Sequence, residues 1–146
     1  MSLALTVKLL GTADIIKRLA KKLETVDQKL FDAKKECGFM VENTAKHLSK
    51  VVTGRQRASI TTNWIGSGMS RAEVKEPVKE SKATDGVHEP KDKIFSVVVG
   101  TNVEYAKDNE AGIGTRKPFL YPAVAQNEAR INARLAAVVK ESIEND

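Results

Sequence analysis

Apolar and polar residues alternate from Leu5 to Leu9, which is the two-residue period of a β-strand. We therefore predict a half-buried strand there, ended by Gly11. From Thr12 the period changes to three or four residues, as is typical of an amphipathic helix, and it continues to about Ser49. This part of the chain thus predicts one strand followed by a long helical stretch.

Two features divide the helical stretch. Thr25 followed by Gln28 is a capping-box pattern, so we predict one helix before Thr25 and a second over residues 26–49. The apolar face of the first helix comprises Ile15, Ile16, Leu19 and Leu23. Gly38 lies inside the second helix, where glycine costs about 1 kcal/mol relative to alanine. It indicates either a close crossing of another element or a break in the helix.

The middle of the chain predicts two strands joined by a long loop. Residues 59–65 alternate, and the predicted strand places Ile60, Thr62 and Trp64 on one face and Thr61 and Asn63 on the other. Residues 94–99 are a β-branched and aromatic run, which predicts the return strand. Residues 66–93 contain few apolar side chains and carry six basic and six acidic residues. We predict a mobile hairpin loop there, because so long a stretch without structure is otherwise uncommon in a compact domain.

The last third of the chain predicts a short helix and a long one. Thr101 followed by Glu104 is a second capping-box pattern, so we expect the short helix to begin there. Gly112 stands where a C-terminal glycine would end it. Pro122 suits the first turn of the final helix, which we predict to run to about Ile143.

These elements predict an α+β fold: a small antiparallel or mixed sheet packed against two long helices, with a long mobile hairpin loop. The chain has 146 residues and a mass of 16.0 kDa, the size of one domain. We therefore predict a single domain over residues 1–146, in which residues 66–93 are the flexible loop.

The net charge of +5 suggests nucleic acid as a partner, but its distribution weakens that suggestion. Basic residues are interspersed with acidic ones, and no run of five like charges occurs. We interpret them as solvated helix faces. The single cysteine, Cys37, excludes an internal disulfide and is typical of a protein made in a reducing cytosol. No apolar run approaches the 18 or so residues of a membrane span, so we expect no membrane partner.

The residue types that usually carry chemistry are isolated in this sequence. His47 has no acidic partner at ligand spacing, and His88 lies in the predicted loop, where flexible chain holds metals poorly. Cys37 fits a small buried hydrophobic residue, and Trp64 fits core packing or a subunit contact. Residues 112–117 lack the spacing of a phosphate-binding loop and predict a turn that exposes Arg116 and Lys117. We expect no enzyme activity, no cofactor and no metal site.

Two stretches of the sequence resemble a family of tailed-phage proteins. The matching residues of the second stretch are Gly100, Thr101, Asn102, Tyr105, Ala106, Glu110, Gly112, Gly114, Thr115, Pro118, Phe119, Leu120, Tyr121, Pro122 and Ala123. The first stretch matches in part, through Thr53, Gly54, Arg57, Ser59 and Ile60, whereas Lys50, Val52 and Gln56 stand where the family has proline, aspartate and leucine. The family comprises the neck, head–tail joining or tail completion proteins of lambdoid siphophages and prophages, of the "gene product ten" type. The resemblance covers residues 45–124.

The resemblance implies a non-enzymatic virion assembly protein at the head–tail junction, made in the cytoplasm of the bacterial host. It implies a homo-oligomeric ring around the DNA channel, with a hexamer as the preferred copy number. The implied partners are a head adaptor or connector and a tail terminator or tail-tube protein, with non-specific contact to DNA in the channel. Trp64, Arg116 and Lys117 are our candidate interface residues.

Two alternatives remain open from the sequence. The first is a basic nucleic-acid-binding regulator, which the charge favours and the lack of a helix-turn-helix signature disfavours. The second is a tail terminator rather than a neck protein, since both are small α+β ring proteins.

Overall fold

A computed structural model describes residues 12–49, 54–67, 83–90 and 95–145 of the chain. The elements in chain order are helix α1 (Thr12–Leu48), short helix α2 (Arg55–Ser59), strand β1 (Thr61–Trp64), a 3₁₀ turn (Ala83–Asp85), strand β2 (Val97–Gly100), short helix α3 (Ala106–Glu110) and helix α4 (Leu120–Glu144). β1 and β2 pair antiparallel, with Thr61 opposite Gly100 and Trp64 opposite Val97. The predicted α+β fold is confirmed: two long helices and a small antiparallel sheet form it. The predicted strand at residues 5–9 lies outside the described residues.

Helix α1 is one continuous helix, so the predicted division at Thr25 is wrong. The Thr25 hydroxyl donates a hydrogen bond to the carbonyl oxygen of Lys21, one turn earlier, at 3.0 Å. Hydroxyls in helix interiors commonly bond in this way, and such a bond leaves the backbone ladder intact. The Gln28 amide donates to the Asp32 carboxylate, one turn later, at 3.4 Å. Both residues of the supposed capping box therefore act within the helix.

Gly38 marks a close crossing of the sheet over α1, which decides between the two interpretations left open. A Cβ atom on Gly38 would lie 2.6 Å from Cγ2 of Thr62 and 2.9 Å from Cγ1 of Val97. Atoms do not approach this closely without displacement, so both strands sit directly against the glycine. The missing side chain sets the distance between α1 and the sheet.

Gly38→Ala is expected to lower the free energy of unfolding by up to about 2 kcal/mol. Overpacking costs about 1–3 kcal/mol, and the higher helix propensity of alanine offsets about 1 kcal/mol of it. Urea denaturation measures the loss. The double variant Gly38→Ala/Thr62→Ser removes the closest methyl group and should recover part of it. A Gly38→Ala protein more stable than the wild type would contradict the close crossing.

Helix α4 packs antiparallel along α1. The Asn127 amide donates to the Thr44 hydroxyl at 2.8 Å, and Arg134 donates to the Glu36 carboxylate at 2.8 Å. At the far end of α4, Ser142 lies beside Thr25 across a cleft between the helices. The preceding turns of α1 lie at this end of the helix pair, where Arg18 and Lys21 line the same cleft as Asn145. Their apolar side chains are more than half exposed: Ile15, Ile16, Leu19 and Leu23.

The core lies at the other end of this helix pair, where α1, α2, α3 and the start of α4 converge. Its buried members are Val41, Ala45, Ile60, Val103, Ala106, Phe119 and Ala123. Ala45, Ile60 and Ala123 are fully buried, and the small side chains of Ala45 and Ala123 let α1 and α4 approach closely. The core therefore includes residues from both stretches that resemble the phage family, among them Ile60, Ala106 and Phe119.

The segment 83–90, part of the predicted loop, packs on the sheet. Gly86 forms a β-bridge with Thr101, and the Asn63 amide donates to the carbonyl oxygen of Val87 at 3.0 Å. Asn63 is therefore fully buried. The sequence predicted Thr61 and Asn63 on one face of β1, and Val87 of segment 83–90 bonds to both of them. Residues 68–82 and 91–94 of the predicted loop lie outside the described residues.

Helix α3 begins at Ala106, later than the capping-box pattern predicted. The Thr101 hydroxyl accepts a hydrogen bond from the Val103 N–H, two residues on, at 3.2 Å. The Glu104 carboxylate contacts Arg55 at 3.2 Å. A capping box at Thr101 and Glu104 is therefore wrong, and Thr101 forms a local turn instead.

Candidate functional site

Residues from the two stretches of the family resemblance meet in space. The hydroxyl oxygens of Ser59 and Thr101 lie 2.5 Å apart, and the Asn109 amide donates to the Gln56 side-chain oxygen. Ser59 is fully buried. These contacts join α2 to the end of β2 and to α3. We call this region the motif junction; it comprises Gly54, Arg57, Ser59, Thr101, Glu110 and Phe119.

Arg57 of the first stretch bonds to the C-terminal end of α1. The Arg57 guanidinium donates to the carbonyl oxygen of Ser49 at 3.2 Å. A cation at this position both satisfies a terminal carbonyl and complements the negative end of the helix dipole. Gly54 has a φ of 82°, in the left-handed region that favours glycine. The remaining matching residue, Thr53, lies outside the described residues.

Glu110 caps the N-terminus of α4 from the end of α3. Its carboxylate accepts hydrogen bonds from the backbone N–H groups of Phe119, Leu120 and Tyr121 at 3.0, 3.0 and 2.7 Å. Pro122, the next residue, has no N–H group to satisfy. The first turn of α4 lacks a side-chain cap from its own N-cap residue. Glu110 supplies that cap, and its negative charge faces the positive end of the helix dipole.

The ionised form of Glu110 is stabilised by these bonds. Burial is the largest single influence and raises the pKa of the carboxyl group. The three backbone N–H groups together outweigh it and hold the pKa below its ordinary value. A carboxylate that is ionised at neutral pH is therefore part of the fold.

Glu110→Gln is expected to lower the free energy of unfolding at neutral pH by about 1–3 kcal/mol, because three backbone N–H groups at the helix terminus lose a charged acceptor. Since the folded-state pKa lies below the unfolded value of about 4.3, ionised Glu110 stabilises the fold at higher pH. That contribution is lost as the pH falls through the folded-state pKa. The difference between wild type and variant should therefore shrink in acid.

Urea denaturation of both proteins, from neutral pH down through the folded-state pKa of Glu110, measures this difference in the free energy of unfolding. Glu128→Gln, which removes an exposed carboxylate of the same helix, is the matched control and should stay within about 0.5 kcal/mol of the wild type. A Glu110→Gln loss that is independent of pH would mean that the charge does not act on the helix terminus.

The turn between α3 and α4 contains two glycines with left-handed backbones. Gly112 and Gly114 have φ angles of 67° and 69°. The Gly112 N–H donates to the Asn109 carbonyl at 3.1 Å, so Gly112 ends α3 as predicted. Arg116 pairs with Asp108 at 2.8 Å, with both side chains about half exposed. Pro118 and Lys117, the latter a candidate interface residue, are also exposed at this turn.

Phe119 is the largest fully buried side chain among the described residues, at 1% exposure. It belongs to the core cluster, and Tyr105 packs half-buried against the same cluster. Gly100 is buried, and a Cβ atom there would lie 3.5 Å from the Val87 side chain. Phe119 and Tyr105, two of the three aromatic residues of the second stretch, thus contribute to packing around the motif junction.

An ion pair beside the motif junction was not predicted. Arg55 donates from Nε and Nη2 to the two carboxylate oxygens of Asp85, both at 2.9 Å. The Asp85 side chain is 4% exposed and that of Arg55 13%. The hydrogen bonds to Asp85 are the main cause of a raised pKa for Arg55. In the sequence, Asp85 is one of six acidic residues in the predicted loop 66–93, and nothing distinguishes it from the others.

The other candidate residues lie apart from this region. The Trp64 ring packs edge-to-face on Phe39 at 6.1 Å, with the Lys35 ammonium 5.2 Å from its centre. Trp64 therefore takes part in packing on α1, and a subunit contact there stays a prediction. Cys37 is buried, and burial raises the pKa of its thiol. His47 and His88 are exposed.

Within the four described ranges, no three His, Cys, Asp or Glu side chains cluster as a metal site would require. In the same ranges, neither long helix has an apolar stretch that could cross a membrane. The chain gives no significant match to any of the known protein families, curated proteins or solved structures with which it was compared.

Proposed function

We propose that this chain is a non-enzymatic subunit of the head–tail junction of a tailed phage. The observation that carries the proposal is the motif junction. The two stretches that resemble the family are about forty residues apart in sequence, yet Ser59 contacts Thr101. A resemblance whose two stretches are in contact supports a shared fold more strongly than two separate matches would.

In the proposed role, the subunit joins copies of itself into a ring of six. A closed ring needs two different surfaces on each subunit, because the contact runs from head to tail. The turn after α3 is suited to one of them, since Ile113 is 57% exposed there beside Arg116 and Lys117. Head adaptor or connector proteins and tail terminator or tail-tube proteins would bind the two rims of the ring.

The charge of α1 supports a non-specific contact with DNA in the channel. Residues 17–22 carry four basic side chains without an acidic one. Lys17, Arg18 and Lys21 are exposed on the N-terminal turns of α1. Charges in this arrangement attract phosphates without reading bases.

The test is the oligomeric state of the full chain as a function of concentration, by sedimentation and negative-stain electron microscopy. We expect a monomer or weak oligomer in dilute solution and closed rings with an open centre at high concentration. A tight dimer with no larger species at any concentration would contradict the proposal.

The same protein tests the alternative of a nucleic-acid-binding regulator. A gel-shift titration at several salt concentrations should show weak, sequence-independent binding that falls steeply with salt. A regulator would instead prefer one sequence by a factor of about 10³ or more.

A further inference from the structure

An apolar groove lies between β2 and α4, with α1 as its floor. Its lining includes Cys37 and Val41 from α1, Val97 and Val99 from β2, and Val124 and Leu135 from α4. Its volume is about 450 Å³. A cavity of about 150 Å³ accepts one benzene molecule, so the groove has room for about three aliphatic side chains.

One edge of β2 faces this groove. In the part of the chain that the structure describes, β2 pairs with β1 on one side only. Residues of β2 line the groove and those of β1 do not, so the unpaired edge is the one towards α4. Such an edge presents N–H and C=O groups to an incoming strand. An extended segment would pair its backbone with β2 and place alternate side chains in the groove.

The sequence before α1 has the pattern that this groove requires. Leu5, Val7 and Leu9 are three apolar residues at alternate positions. They would occupy one side of an extended segment about 13 Å long, and a four-residue strand such as β2 has a similar length.

This segment cannot reach the groove of its own chain. Gly38, which lies against Val97, follows Thr12 by 26 residues of continuous helix, or about 39 Å. Leu5 precedes Thr12 by seven residues, which span at most about 25 Å when fully extended. The segment and the groove can therefore meet only between two copies.

We propose that residues 5–9 of one copy add as a strand to β2 of a second copy, with Leu5, Val7 and Leu9 seated in the groove between β2 and α4. This inference rests on the head-to-tail assembly proposed above. In that assembly, the added strand would connect each subunit to the next. The segment and the groove are different surfaces of one subunit, as a closed ring requires.

The first experiment uses the native Cys37 in the groove as one half of a cross-link. Leu5→Cys, Val7→Cys and Leu9→Cys are made separately in the full chain and oxidised at alkaline pH, because burial raises the pKa of the Cys37 thiol. We expect at least one variant to give a ladder of covalent oligomers on a non-reducing gel. Mass spectrometry of a mixture of isotope-labelled and unlabelled chains should assign the disulfide to Cys37 of a different copy.

Matched controls distinguish disulfides that form because the segment is bound in the groove from disulfides that form when chains collide at random. Thr6→Cys and Lys8→Cys lie on the opposite side of the same segment and should give no ladder. Val124→Glu, in the groove wall, should abolish the ladder when combined with the best cysteine variant. Ile143→Glu, on α4 outside the groove and 66% exposed, should not.

The second experiment needs no assembly. A synthetic peptide of residues 1–11 is added to isotope-labelled full chain at a concentration where the chain is monomeric. We expect amide shifts at Val97, Val99 and Leu135. A peptide with serine at positions 5, 7 and 9 should bind at least about tenfold more weakly, because three apolar side chains lose their burial.

The outcomes separate this inference from the proposed function. Rings without any ladder and without peptide shifts would overturn the inference and leave the ring intact. A ladder through Cys37 without closed rings would support the strand contact and contradict the head–tail assembly. A serine peptide that binds as well as the native one would overturn the inference.

Discussion

Phe119→Ala is expected to lower the free energy of unfolding by about 3–5 kcal/mol. The ring is 1% exposed and belongs to the cluster that also contains Val41, Ile60 and Val103. Truncation removes its buried surface and leaves a cavity that rigid elements on several sides cannot close. For a domain of this size, such a loss is a large part of a total stability of about 5–15 kcal/mol.

Chemical denaturation of wild type and variant measures this loss. Tyr121→Ala is the matched control, because the side chain is an aromatic two residues away that is 76% exposed. It should remain within about 0.5 kcal/mol of the wild type, as should Arg116→Ala on the exposed turn. If Tyr121→Ala or Arg116→Ala weakens ring formation without changing stability, the exposed residues form an interaction surface. Equal losses of stability for Phe119→Ala and Tyr121→Ala would contradict the assignment of Phe119 to the core and of Tyr121 to the surface.

The helices were predictable because their signals are local and repeated. The three-to-four-residue period identified α1 and α4, and Gly112 marked the end of α3 through its left-handed backbone. The division at Thr25 failed for a physical reason. A threonine hydroxyl can cap a new helix or bond to the preceding turn, and the sequence alone does not show which. In α1 the hydroxyl bonds to the preceding turn, and the helix continues through Thr25.

The contacts that build the motif junction were not predictable from spacing. Glu110 caps a helix that begins ten residues later, so no capping-box search around Leu120 would find it. Asn63 is buried by a segment more than twenty residues further along the chain. Such partners are brought together by the fold as a whole, and the local pattern contains no trace of them.

Family resemblance identified several of these residues without giving their roles. Glu110, Gly112 and Phe119 belong to the matching stretch, and the structure shows what each does: capping, turning and core packing. Asp85 lies outside both matching stretches. Its pairing with Arg55, thirty residues away, left no signal in periodicity or in resemblance.

Asp85→Asn is the second large expected effect, with a loss of about 3–5 kcal/mol in the free energy of unfolding. Both Asp85 and Arg55 are largely withdrawn from water and form two parallel hydrogen bonds. Without the carboxylate, the buried guanidinium keeps Glu104 as an acidic neighbour, and Glu104 is 68% exposed. The cost arises chiefly because the guanidinium loses its two-point partner and keeps an exposed one, since the attraction within a buried pair largely offsets its own desolvation.

Two further variants test whether the loss of stability comes from breaking a largely buried ion pair rather than from removing any carboxylate that pairs with an arginine. Asp108→Asn removes the carboxylate of the Arg116 pair, which has a similar distance but exposed partners, and should cost no more than about 1 kcal/mol. The double variant Arg55→Met/Asp85→Leu replaces both charges with apolar groups and should be more stable than Asp85→Asn alone. Denaturation with urea measures all three.

The position of Asp85 gives the substitution a local consequence as well. Its carbonyl oxygen accepts the Asn102 N–H at 2.7 Å, and the adjacent Gly86 pairs with Thr101. If the ion pair anchors segment 83–90 on the sheet, hydrogen exchange of the Asn102 amide should accelerate in Asp85→Asn by more than global unfolding accounts for. A variant that loses less than about 1 kcal/mol and keeps this amide protected would show that segment 83–90 is held by its backbone contacts alone.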